Sequence, residues 1–110
     1  MNIEFHTAYG KVAEDLVKKI RNEMIKLSHL NKDISRAEVV LKEEETIIPA
    51  ENKVCEIRLT VYGDDLLSHS RTGSFEKSAK EAIKELQKMV KKQVKRNQEP
   101  PDQMTSTVKV

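Results

Sequence analysis

The sequence predicts an α+β fold: a two-layer sandwich in which two helices cover one face of a four-stranded sheet, in the order β-α-β-β-β-α. Two observations carry this reading. Two long segments repeat apolar side chains at the period of a helix, and the stretches between them alternate apolar and polar residues at the period of a strand. The strands alternate on one side only, so one sheet face is covered and the other is wet. Both helices then belong to one layer.

Met1 to His6 is the first strand, with Ile3 and Phe5 on one side. A turn around Thr7 to Gly10 leads into a helix from Lys11 to about Leu30, whose apolar stripe is Val12, Ala13, Leu16, Val17, Ile20, Met24 and Leu27. Its far side carries Lys11, Lys18, Asn22, Lys26 and His29. Asn31, Lys32 and Asp33 break the pattern, and ISRAEVVLK then alternates Ala37, Val39 and Leu41 inward with Arg36, Glu38 and Lys42 outward. This second strand spans Ile34 to Glu43. The third, Lys53 to Tyr62, is the clearest, with Cys55, Ile57, Leu59 and Val61 sharing a face. Gly63, Asp64 and Asp65 form a tight hairpin signal before a fourth strand from Leu66 to Thr72.

The last helix begins after Ser74, a good N-cap residue, and runs to Arg96. At 100° per residue, Phe75, Ala79, Ala82, Ile83, Leu86, Met89, Val90 and Val94 share one sector, and Lys77, Lys80, Lys84, Lys88, Lys91 and Lys95 lie opposite. One face packs and the other is a positive rail. Such a rail suits a polyanion with regularly repeated charge, such as a nucleic-acid backbone, but charged outer faces are commonly just solvated. The stripe by itself leaves both readings open.

At 110 residues there is room for one domain, expected over residues 1–97, with residues 98–110 as a flexible tail containing adjacent prolines. Net charge is only +2, yet residues 77–96 hold eight Lys/Arg against Glu81 and Glu85, which is +6 locally and leaves −4 for the remainder. Charge is segregated, which matters more than its sum. The N-terminus lacks a signal-peptide pattern and no apolar run is long enough for a bilayer, so a cytoplasmic protein without a membrane role is expected. Cys55 is the lone cysteine and reads as a small core residue.

No catalytic constellation is visible. His6, His29 and His69 lack the spacing of a zinc site or a base–nucleophile pair, and Glu43 to Glu45 lack the alternation of a calcium loop. The glycines at 10, 63 and 73 sit at element boundaries rather than in a phosphate loop. Neither an enzyme nor a cofactor or metal is expected. With no Trp and few other aromatics, a platform that grips splayed bases by stacking is disfavoured too.

In this order, MNIEFHTA, KLSHL, ISRAEVVLK, NKVCEIRLTVYGDDLL and SFEKSAKEAIKEL resemble the short ribosome hibernation-promoting factors, also called ribosome-associated inhibitors or sigma-54 modulation proteins, over Met1 to Arg96. The resemblance implies a double-stranded-RNA-binding-like fold. It also implies a non-enzymatic factor that binds the small ribosomal subunit and its ribosomal RNA, occupies the messenger and transfer RNA channel, and blocks translation in stress or stationary phase. Carried over by residue, the RNA-binding set is Lys26 in KLSHL with Lys84, Lys88, Lys91 and Lys92. His29 stands where family members often carry lysine or arginine. Lys18, Lys77, Lys80 and Lys95 join the set on helical geometry alone.

The family's basic run KRQL is here Gln87, Lys88, Met89 and Val90, with Lys91, Lys92, Lys95 and Arg96 placed to compensate, because phosphate contacts tolerate changes of position. The resemblance is to the short forms, so the second, dimerising domain of long family members is not expected, and a monomer off the ribosome is expected, without DNA or membrane partners. Composition alone equally admits a module for a non-ribosomal RNA, or a regulator whose basic helix docks an acidic protein.

Overall fold

Three residues of one strand, Ala37, Val39 and Leu41, pair in register with Leu59, Ile57 and Cys55 of the next. Because side chains alternate across a strand, this register merges two apolar rows into one surface. The computed structural model describes residues 1–7, 12–44, 47, 49–62 and 64–98; the turn expected over residues 8–10, Lys11, Glu45, Gly63 and the tail after residue 98 lie outside them. The elements are β1 (Asn2–Thr7), α1 (Glu14–Leu30), β2 (Ile34–Glu43), a 3-10 turn (Pro49–Glu51), β3 (Lys53–Val61), β4 (Asp64–Thr72) and α2 (Phe75–Gln98). The sheet order is β1-β2-β3-β4, with β1 parallel to β2 and the other pairs antiparallel. The expected α+β order and four-stranded sheet are what the structure shows.

One sheet face carries the core. Leu16, Ile20, Met24 and Leu27 of α1 and Ala79, Ala82, Ile83, Leu86 and Val90 of α2 meet the inward rows of β2 and β3. Ile20, Met24, Val39, Leu59 and Leu86 are completely buried. Each such aliphatic side chain contributes about 1.5–3 kcal/mol relative to exposure. Both helices therefore share one layer, as the one-sided alternation requires.

β1 lies one residue later than expected and β3 ends one residue earlier, at Val61, and three larger differences have local reasons. Helix α1 starts at Glu14, because Ala13 is extended (φ −59°, ψ 136°), and Glu14 and Asp15 then occupy the first turn, where the helix dipole favours acid. β4 starts at Asp64 rather than Leu66, because Asp64 and Asp65 pair with Val61 and Thr60. Helix α2 continues through Gln98, so Asn97 and the first tail residue are helical.

Helix ends are set by side chains. Asn31 stops α1: its backbone N–H donates to the Leu27 carbonyl at 3.0 Å, and its Oδ1 accepts the Asp33 N–H at 2.9 Å, turning the chain into β2. Ser74 caps α2 as expected, its Oγ accepting the Lys77 N–H at 3.1 Å. Gly73 is needed for space: a Cβ there would lie 2.6 Å from the Ala50 carbonyl oxygen of the 3-10 turn.

The inward face of β4 is polar, with Ser68, Ser70 and Thr72 buried. α2 answers with polar groups of its own. The fully buried Ser78 hydroxyl donates to the Lys53 carbonyl at 2.6 Å and lies 2.7 Å from Thr72 Oγ1, and Ser70 Oγ donates to Glu81 Oε1 at 2.7 Å. Ser68 Oγ has no partner among the described residues.

Candidate nucleic-acid interface

The helices run side by side in the same direction. Gln87 Nε2 donates to Glu23 Oε1 at 3.2 Å and, farther along both helices, Asn31 Nδ2 donates to Gln93 Oε1 at 3.2 Å. Between them lies a groove of about 1050 Å³ whose floor is Leu16, Ile20, Ala79 and Ile83 and whose rim holds Lys19, Lys26, Lys80 and Lys84. Four lysines against two carboxylates, Glu23 and Glu76, leave the two rims positive on balance across an apolar floor, which suits an anionic chain.

The structure brings Lys26, Lys80 and Lys84 of the sequence-derived set together at this groove. Lys77, Lys88 and Lys91 are exposed on the side of α2 opposite its buried stripe, continuing the rim into a crest. Lys18 and His29 are exposed on the outer crest of α1 and do not line the groove. Lys92 is exposed but rotated toward the β4 side, in the sector of Glu81 and Glu85. The Lys95 side chain lies outside the described residues. Lys19, which lines the groove, was missed: its sequence position beside Lys18 carries no signal, because the rotation of α1 against α2 decides which of the two faces inward.

The charges of the two layers are used differently. On the open sheet face, Arg36 donates to Glu4 Oε1 at 2.7 Å and Glu38 Oε2 at 3.3 Å, and Arg71 donates to Glu44 Oε1 at 2.6 Å. Lys42 pairs there with Glu44 and Glu56, and on the helix side of the sheet Lys53 pairs with Glu43. Lys42 and Arg71 flank the buried outer-face residue Val54 in register, and Glu44 joins them above it. The Arg36 hydrogen bond holds the Glu4 carboxyl below its usual range, and Arg71 and Lys42 do the same for Glu44. On the helix layer, Lys18, Lys19, Lys77, Lys80, Lys84, Lys88, Lys91 and Lys92 make no ion pair among the described residues, and only Lys26 is tied, to Glu23 at 3.1 Å. Arg36, Lys42, Lys53 and Arg71 of the strands are neutralised within the fold, whereas the exposed Arg58 of β3 makes no ion pair among the described residues. Among the described residues, the helix cations other than Lys26 point outward without an ion pair.

Other chemistry is limited. The histidines that look scattered in sequence acquire carboxylate neighbours: His6 Nε2 lies 3.3 Å from Glu38 Oε2 and 3.7 Å from Glu4 Oε1, and His69 Nε2 lies 3.9 Å from Glu56 Oε2. Glu4, His6 and Glu38 gather their ligand atoms within 4.8 Å, but both carboxylates already hold the Arg36 guanidinium, which a divalent cation would have to displace. Burial pushes the Cys55 thiol up to about 12, leaving it unreactive at neutral pH. No described helix is long and apolar enough to cross a membrane.

The sequence profile of the family described as "Sigma 54 modulation protein / S30EA ribosomal protein" matches residues 2–98. The chain belongs to this family. The match takes in both helices and all four strands, and thus the whole lysine-bearing layer. Two solved structures share the family fold. A ribosomal subunit interface protein from Coxiella burnetii superposes with a TM-score of 0.69 at 12% identity, over 84% of this chain and 96% of that one. The Thermus thermophilus Protein Y N-terminal domain does so with 0.68 at 16% identity, over 84% and 98%. At these identities the likeness establishes the fold and leaves the interface to the residues of this chain. A comparison with curated proteins finds no match.

Proposed function

We propose that this protein is a ribosome-binding hibernation factor: it docks on the small subunit through its helix layer, contacts ribosomal RNA in the decoding channel, and stops translation by occupying the messenger and transfer RNA sites. The observation that carries the reading is the unequal use of charge. Four of the five Lys and Arg side chains of the strands, Arg36, Lys42, Lys53 and Arg71, are held in ion pairs, whereas among the described lysines of α1 and α2 only Lys26 has a carboxylate partner, Glu23. A-form RNA offers side chains a dense phosphate array and little readable sequence, which ammonium groups on two rigid parallel helices match by spacing and charge. Family membership supports the ribosome as the source of that RNA.

The binding set is Lys26, Lys80 and Lys84 at the groove, Lys77, Lys88 and Lys91 on the α2 crest, and Lys18, His29, Lys92 and Lys95 at the periphery. Lys19 joins the groove group. The action is occupancy, with no bond made or broken, in a cytoplasm where translation is being shut down. The domain of residues 1–97 carries the function, and the tail from residue 98 is not needed for docking. The test is sedimentation of a stationary-phase lysate through sucrose. The protein should travel with small subunits or whole ribosomes at low salt and leave them at high salt. Recovery only at the top of the gradient, at low salt and in both growth and starvation, would sink the proposal.

A further inference from the structure

β4 is the last strand of the sheet, so one of its edges is unpaired among the described residues. Proteins usually blunt such an edge by keeping it short, bulging it, or placing proline or lysine along it. β4 is neither short nor bulged and holds no proline or lysine, its charged residues Asp64, Asp65 and Arg71 standing toward its ends: its nine residues, DDLLSHSRT, pair with β3 from end to end without a register shift. In its middle, on the open face, stands Leu67, 57% exposed.

We propose that two copies of this chain associate through their β4 edges about a two-fold axis at Leu67, joining their sheets into one. Antiparallel pairing about that residue sets Leu67 against Leu67 of the second copy and Asp65 against its His69, both on the open face. An apolar pair then sits on the axis with an acid–imidazole pair on either side. Arg71 keeps its bond to Glu44.

Helix α2 provides an independent match. Glu81 is bonded to Ser70 of β4, so its sector of α2 faces the free edge. At 100° per residue that sector also holds Glu85, Lys88 and Lys92, all exposed. Reading along α2, it is acidic first and basic second. The two-fold axis runs this stripe antiparallel to its copy, which sets Glu85 beside Lys88 and Glu81 beside Lys92 of the second chain. An acid-then-base stripe is self-complementary only in that direction, the one the β4 register imposes. The groove between α1 and α2 stays open, whereas Lys88 and Lys92 are drawn into the interface. This departs from the monomer expected from sequence and stands whether or not the RNA surface is confirmed.

The test is sedimentation equilibrium of the protein from about 10 μM to about 1 mM, the range in which small interfaces dissociate. Wild type should shift from monomer toward dimer. Leu67→Lys and Leu67→Glu, at an exposed position that leaves the fold intact by circular dichroism, should each stay monomeric because like charges meet on the axis. An equimolar mixture should dimerise again, as lysine then faces glutamate. A wild type that is monomeric throughout, a Leu67→Lys variant that dimerises as wild type does, or a mixture that remains monomeric would each overturn the proposal.

Discussion

Replacing Lys84, Lys88 and Lys91 together by glutamine removes three ammonium groups from the helix layer. All three side chains are exposed, none is in an ion pair among the described residues, and the core stripe of α2 is untouched. Glutamine and lysine have nearly equal helix propensity, so the far-ultraviolet circular dichroism and melting temperature should hold. Binding to purified small subunits should not. Each phosphate neutralised contributes about 0.7–0.9 to the slope of log K against log salt, so a wild-type surface engaging about six phosphates loses roughly three decades of affinity between 50 and 200 mM. The variant should lose about half that, with a slope shallower by about 2 to 3. Cosedimentation across a salt series measures both. A folded variant with wild-type affinity and an unchanged slope would show that these lysines are only a solvated face.

Three further outcomes follow from the fold. Ser78→Ala removes the hydroxyl shared by the Lys53 carbonyl and Thr72 and should destabilise by about 1–3 kcal/mol in urea; a loss near zero would mean the cluster contributes packing alone. The Glu4 and Glu44 carboxyls are held below the ordinary glutamate value of 4.5, so their contribution is fully present above that pH and is lost as pH falls through their folded values. The melting temperature should therefore be level from about pH 5 upward and decline below 4.5, less steeply in Glu4→Gln; identical acid profiles for variant and wild type would contradict this. Cys55, with its thiol raised to about 12 by burial, should resist a thiol reagent at pH 8 in the native state and react on unfolding; rapid native reaction would show that β3 opens readily.

Much of this architecture was legible because its core positions are aliphatic. The β2 bounds and the β3 rows could be read directly, since Ala37, Val39, Leu41, Cys55, Ile57 and Leu59 alternate against charged neighbours. β4 was read short because Gly63, Asp64 and Asp65 look like a turn, whereas Asp64 and Asp65 pair with Val61 and Thr60; the role of its buried row Ser68, Ser70 and Thr72 was hidden because the partners Ser78 and Glu81 lie on another element. No period in the sequence reveals a polar row matched by a polar helix face. The lysine crest of α2 was visible because Leu86 and Val90 fix the opposite side, and the parallel placement of α1, which makes Lys19 and Lys26 face Lys80 and Lys84, was not. That arrangement rests on long-range bonds such as Gln87 to Glu23. The ion pairing of Arg36, Lys42 and Arg71 was equally hidden, because cross-strand register decides which charges meet.

The central claim is that the helix layer is the RNA-facing surface. A density map of the protein on purified small subunits at low salt tests it most directly. The account predicts α1 and α2 against ribosomal RNA in the decoding channel, phosphates within reach of Lys26, Lys80, Lys84 and Lys91, and the open sheet face turned away. Density with the sheet face on the RNA, or with the chain bound outside the channel, would contradict it.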